Sequence, residues 1–183
     1  AYLSCGTWSL LGIEVDEPVV NDVTYENNFS NEGAVGGKYN LLSNIMGLWI
    51  IQQLRADWER MGDKLSFPDM VKLANEATPF KCFINPDAPD FVAPVGMEER
   101  IKEYCRKTGQ AVPQTRGEVI RTAYESLALK YRYVLGGIEK CTGKKYPHIS
   151  KHVSSISSNI FLISSLDTTS AVGRNLTASI ALD

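Results

Sequence analysis

The run Tyr2-Leu3-Ser4-Cys5-Gly6-Thr7-Trp8-Ser9-Leu10-Leu11-Gly12 constrains the fold more than any other stretch of the chain. β-forming residues flank Ser4-Cys5-Gly6-Thr7, a small, polar segment with a glycine, so the chain is predicted to double back here as a tight hairpin. Such a turn suits an anion, phosphate above all. Gly6 lets backbone approach a ligand with no Cβ in the way, successive N–H groups of a turn point at one spot, and Thr7 adds a hydroxyl beside them. By itself a Gly-Thr hairpin is more often only a turn, and the rest of the sequence has to decide.

Composition enters as a set of exclusions. At 183 residues, with 44% hydrophobic and 22% charged side chains, the chain can bury a core of its own as an ordinary globular domain. A formal net charge of -2 and a pI near 5.8 argue against a nucleic-acid surface. Lys140, Lys144, Lys145 and Lys151 cluster, but read as a solvated helix end. No signal-peptide pattern opens the sequence and no apolar run reaches the roughly 20 residues of a membrane span, so a cytoplasmic location is expected. Cys5, Cys82, Cys105 and Cys141 are widely spaced and read as free thiols in a reducing compartment. Cys141, His148 and His152 lack a fourth ligand at recognisable spacing for zinc. Cys5 has no adjacent histidine to activate it and reads as a small buried thiol.

Along the chain, Val15 to Tyr25 is acidic and turn-rich, with Asp16-Glu17-Pro18 and Asn21-Asp22 as breakers, and reads as a loop. A second hairpin is predicted with Asn31-Glu32-Gly33-Ala34-Val35-Gly36-Gly37 joining the run that ends at Phe29 to Tyr39-Asn40-Leu41-Leu42. A helix is then predicted from Ser43 or Asn44 to Met61, stopping at Gly62, with Ile45, Leu48, Trp49 and Gln52 at helical spacing. On this reading Asn44 either caps the helix or offers its amide to a ligand. Gln52, on an inward stripe, needs a hydrogen-bonding partner.

Ser66-Phe67-Pro68-Asp69 has capping spacing ahead of an apolar stripe that ends at Thr78-Pro79. A proline-punctuated connection through Asn85-Pro86-Asp87-Ala88-Pro89-Asp90 leads to a short helix from Met97 to Lys107, closed by Gly109. Thr115-Arg116-Gly117-Glu118 supplies a capping box to the strongest helix, with Ile120, Ala123, Tyr124, Leu127, Tyr131, Val134, Leu135 and Ile138 in period. Beyond Ile149 serines alternate with Ile, Val and Leu, which fits either a strand or weak order.

Three of these stretches together, Ser4 to Gly12, Asn31-Glu32-Gly33, and Asn44-Ile45-Met46-Gly47-Leu48-Trp49-Ile50-Ile51-Gln52, resemble the C-terminal half of the FGGY carbohydrate kinases. Asn85-Pro86-Asp87, Ile101 to Gln110 and Glu125 to Leu135 agree, and the resemblance covers residues 1–149. It implies an α/β, actin-like (ribonuclease H-like) half-domain in which antiparallel hairpins precede packed helices. It also implies ATP with Mg²⁺ as phosphoryl donor and, among the members most alike, the deoxy-ketose L-rhamnulose as acceptor. By position, Thr7 matches a threonine at the ATP phosphates with Gly6 permitting their approach, Gln52 a glutamine on the nucleotide side, and Asn44 an asparagine at the sugar. The blander readings are a turn, a satisfied core glutamine and a helix cap.

Two departures from the family follow. The resemblance places the aspartate base upstream of Ala1, so no catalytic residue is expected in this chain. Activity would need the N-terminal half as partner, and the chain alone is expected to be inactive. The family's glycine-rich adenine loop has no counterpart in His148-Ile149-Ser150-Lys151-His152-Val153, and 150–183 reads as an atypical serine-rich tail, with Ala171-Val172-Gly173 and Ile180-Ala181-Leu182 only faintly family-like. A fragment, or an altered gene product, accounts for both. The alternative functions are a related kinase for another deoxy-ketose and a non-catalytic remnant or binding module.

Overall fold

A computed structural model describes residues 1–153. Five strands form one mixed sheet in the order β3-β4-β2-β1-β5, where β1 is Tyr2–Cys5, β2 Trp8–Val15, β3 Ser30–Gly33, β4 Tyr39–Met46 and β5 Ser150–Val153. The first hairpin forms as the sequence predicts, Cys5 facing Ser9 and Tyr2 facing Gly12. β3 and β4 make the second, with Gly33 facing Tyr39 and a 3₁₀ turn at Val35–Gly37 whose Gly36 sits at φ 75°. Among the described residues, β5 alone runs parallel to its neighbour, β1. The Ser/apolar alternation after Ile149 therefore begins as a strand, and residues 154–183 lie outside the described residues.

The predicted loop before the second hairpin contains a short helix, α1 (Asp22–Glu26). Asn21, read as a breaker, is its N-cap: its side chain accepts from Thr24 N, and Thr24 Oγ1 accepts from Asn21 N. The larger correction concerns β4. The helix predicted from Ser43 or Asn44 begins only at Trp49, as α2 (Trp49–Arg60), and Ser43 to Met46 are strand. β2 decides this, because it offers β4 a full ladder from Trp8 facing Met46 to Val15 facing Tyr39. Ile45 thereby enters the sheet's buried face in place of a helix stripe.

The remaining helices follow their local signals. Ser66 and Asp69 exchange a capping box at α3 (Phe67–Glu76), α4 spans Met97–Lys107, and Thr115 with Glu118 caps α5 (Arg116–Thr142). At 27 residues α5 is roughly 40 Å long. Its C-terminal half packs Leu127, Tyr131, Val134, Leu135 and Ile138 on Leu3, Leu11, Ile13, Leu41 and Ile45 of the sheet. Its N-terminal half joins α2, α3 and α4 around Ile51, Leu54, Trp58, Met70, Phe91 and Ile101. Gly117 permits that second contact, since a Cβ there would lie 2.4 Å from Leu73 O. None of the four cysteines forms a disulfide bond, and three of them are buried. Among the described residues no helix is long and apolar enough to cross a membrane.

Candidate functional site

The Gly6-Thr7 turn is held against the start of α2. Leu48 N donates to Gly6 O at 2.9 Å and Trp49 N to Thr7 O at 3.1 Å, while Gly6 N donates to Trp8 O at 3.0 Å. These bonds change the anion-site reading in one respect. Gly6 N–H is spent inside the turn, the first α2 amides serve the turn's carbonyls, and the polar group on the Thr7 side chain is its hydroxyl. That hydroxyl donates to Gln52 Oε1 at 3.2 Å. The structure thus brings Thr7 and Gln52 together across 45 residues, in an exposed position. Gly6 keeps its approach open, for a Cβ there would meet only Trp8 O at 3.4 Å.

Asn44 is elsewhere. It sits within β4 facing Leu10, exposed, and α2 has Leu48 as its N-cap with no side-chain bond, so Asn44 caps nothing and shares no helix with Gln52. It lies two residues before Met46, which faces Trp8 next to Thr7. Asn44 and the Thr7–Gln52 pair therefore stand at the same end of the sheet, on consecutive parts of one β4–α2 unit.

Several supporting residues were named in the sequence only as parts of longer stretches, with no role at the site. Gly47 joins β4 to α2 where a Cβ would lie 2.6 Å from Ser9 Oγ and 2.7 Å from Gly6 O, so only glycine lets the turn and helix close this tightly. A glycine between a strand and a helix pattern was the available signal. Asp87 Oδ1 accepts from Met46 N at 2.7 Å and its Oδ2 pairs with Lys130 Nζ at 2.9 Å, tying the junction to α5. No sequence pattern announces a contact between Asp87 and Met46, 41 residues away. The next residue of α5, Tyr131, bonds Ser9, and burial followed by the neighbouring Cys5 pushes its phenol well above the usual tyrosine range.

Comparison with known proteins matches residues 1–156 to the FGGY family of carbohydrate kinases, C-terminal domain. The chain belongs to that family. A rhamnulokinase of Bacteroides thetaiotaomicron is 50% identical to this FGGY chain over 135 residues, 74% of it and 27% of the relative. A rhamnulokinase of Ligilactobacillus salivarius is 37% identical over 171 residues, 93% of it and 34% of the relative. The FGGY chain thus spans between about a quarter and a third of the length of these relatives. Its fold is similar to that of xylulose kinase from Bifidobacterium adolescentis, with a TM-score of 0.53 at 16% identity over 86% of this chain and 29% of that one. The actin-like half-domain implied by the sequence is the fold found.

Proposed function

We propose that this domain is the nucleotide-binding half of a kinase that transfers the γ-phosphoryl of ATP to L-rhamnulose, giving L-rhamnulose 1-phosphate. The observation that carries the reading is the Thr7–Gln52 contact, with its hydroxyl and amide exposed beside an open glycine and close to an exposed Asn44. Phosphoryl transfer asks a protein mainly for positioning and for donors where charge spreads. When nucleotide binds, the Thr7 hydroxyl turns its single proton from Gln52 Oε1 to a phosphate oxygen, Gln52 turns its amide to the nucleotide, Gly6 admits both, and Asn44 meets sugar hydroxyls.

The donor set fits polyphosphate, being uncharged and free of carboxylates that would repel it. Mg²⁺ would arrive on the ATP oxygens, where it neutralises charge on the transferring group. None of Gly6, Thr7, Asn44 or Gln52 is a base at neutral pH, so taking the proton from the sugar hydroxyl falls to a group outside this set. The resemblance assigns that role to an aspartate of the N-terminal half. The names of the relatives, rhamnulokinases in two genera, favour L-rhamnulose as acceptor.

Titrating the 183-residue chain with Mg-ATP, followed by residue-resolved NMR, tests the nucleotide part. Saturable shifts at Gly6, Thr7 and Gln52 are expected, with a Kd of roughly millimolar, near -4 kcal/mol. Thr7→Ala should abolish them. An unperturbed turn at saturating nucleotide refutes the reading.

A further inference from the structure

The face of the sheet turned away from α5 carries a side chain that the reading above leaves unused. Trp8 is 57% exposed, while the other two tryptophans are committed: Trp58 Nε1 bonds Glu98 Oε2 at 2.6 Å and Trp49 Nε1 bonds Phe91 O at 3.1 Å. Trp8 faces Met46 and Leu10 faces Asn44, so Trp8 and Asn44 are diagonal neighbours on one face, about 7–8 Å apart at Cα and within reach of an indole. Among the described residues neither the Trp8 indole nor the Asn44 amide makes a hydrogen bond or ion pair. A lone exposed tryptophan needs no explanation. An indole set beside an unengaged amide, on the residue following Thr7, matches what a sugar requires: a flat apolar surface for its C–H face, and a group that both donates and accepts for its hydroxyls.

The order along β2 gives that surface a direction. From Thr7 the strand runs through Trp8 to Leu10, about 7 Å from Trp8 at Cα, a span close to the length of a six-carbon chain. We infer that Trp8 is a specificity-determining residue for the sugar: its indole stacks on the C–H face of a 6-deoxy-ketose whose phosphate-accepting end lies toward Thr7 and whose methyl end lies over Leu10, with Asn44 on the hydroxyls. This rests on the kinase reading of the same site and adds to it the feature that selects a deoxy sugar. A 6-hydroxy ketose would bury its extra hydroxyl against Leu10 with no partner.

The test follows the indole N–H and side-chain amide signals of the 183-residue chain during titration with L-rhamnulose, and separately with L-fructose, its 6-hydroxy counterpart. The Trp8 and Asn44 signals should move together and saturate, while Trp49 and Trp58 stay still. Trp8→Ala should weaken L-rhamnulose about tenfold or more and Trp8→Phe less. Leu10→Ala should erode the preference over L-fructose, which an apolar contact of this kind sets at roughly 10- to 100-fold. An amide spectrum and unfolding midpoint like those of the parent chain show that each variant is folded. No response of Trp8 to ketose, or unchanged affinity in Trp8→Ala, overturns the inference. A parallel Mg-ATP titration separates the two readings. Shifts at Thr7 and Gln52 with a silent Trp8 sink the stacking and leave the kinase half standing, whereas silence toward both ligands sinks both.

Discussion

Tyr131 on α5 and Ser9 on β2, 122 residues apart in the chain, share a hydrogen bond of 2.7 Å in the buried layer between helix and sheet. Ser9 is fully buried, and its other side-chain neighbour is the Cys5 thiol at 3.7 Å. The hydroxyl pair satisfies two polar groups where water does not reach, directly behind the Gly6-Thr7 turn. Tyr131→Phe keeps the ring and removes the partner, leaving Ser9 with a weak sulfur contact. The expected cost is about 1–3 kcal/mol, read as a lower denaturant midpoint at unchanged slope. An unshifted midpoint would show that Ser9 re-pairs without loss.

Gly47 and Gly33 make a matched comparison. At Gly47 a Cβ would crowd Ser9 Oγ, Gly6 O and Ser9 N at 2.6, 2.7 and 2.8 Å, two of them backbone atoms, whereas at Gly33 nothing lies within 4 Å. Gly47→Ala should push α2 from the turn, costing roughly 1–3 kcal/mol and breaking the Thr7–Gln52 bond. Gly33→Ala should be near neutral. Thermal melts of the two variants, with amide exchange at Leu48 and Trp49, check this; equal effects would mean the junction gives way easily.

Asn44→Ala separates structure from function. Because Asn44 is an exposed strand residue, its loss should stay within about 0.5 kcal/mol, in contrast to the roughly 1 kcal/mol expected of a lost helix cap. Ketose binding by the same variant should weaken. A variant that melts markedly earlier yet binds the sugar normally would return Asn44 to a structural role.

Stability should fall on acidification. The Lys81 ammonium, helped by the amides of Gln114 and Thr115, holds the Glu118 carboxyl below the usual range. Burial pushes Glu98 up, but bonds from Lys102 and Trp58 outweigh it and the net shift is downward. Carboxyls depressed on folding add stability that is present above their unfolded pKa of about 4.3 and is lost as pH falls through the folded values. Unfolding free energy should therefore be level between about pH 5 and 7 and decline below about pH 4. Glu118→Gln should flatten that decline. A decline of the same steepness in the variant would remove Glu118 from its cause.

The sequence by itself determined the elements whose signals are local. The Ser66/Asp69 and Thr115/Glu118 capping boxes, the long period from Ile120 to Ile138, and the glycine tip at Val35–Gly37 each act within a few residues, and each element formed where those residues place it. Around Asn44 the local signals conflict. Ile45, Leu48 and Trp49 satisfy a helix period, yet Ile45 equally satisfies the alternation of a strand, and Gly47 is the single local residue that speaks against a continuous helix. The tertiary structure decided it, because β2 offers a continuous ladder of hydrogen bonds up to Met46 and Gly47 alone can pass beneath Ser9. The same ladder moved Asn44 from a helix cap to the open sheet face beside Trp8. The closure at Gly47 brought Gln52 to Thr7, and a contact between side chains 45 residues apart depends on how the strands stack, which no local pattern of residues encodes.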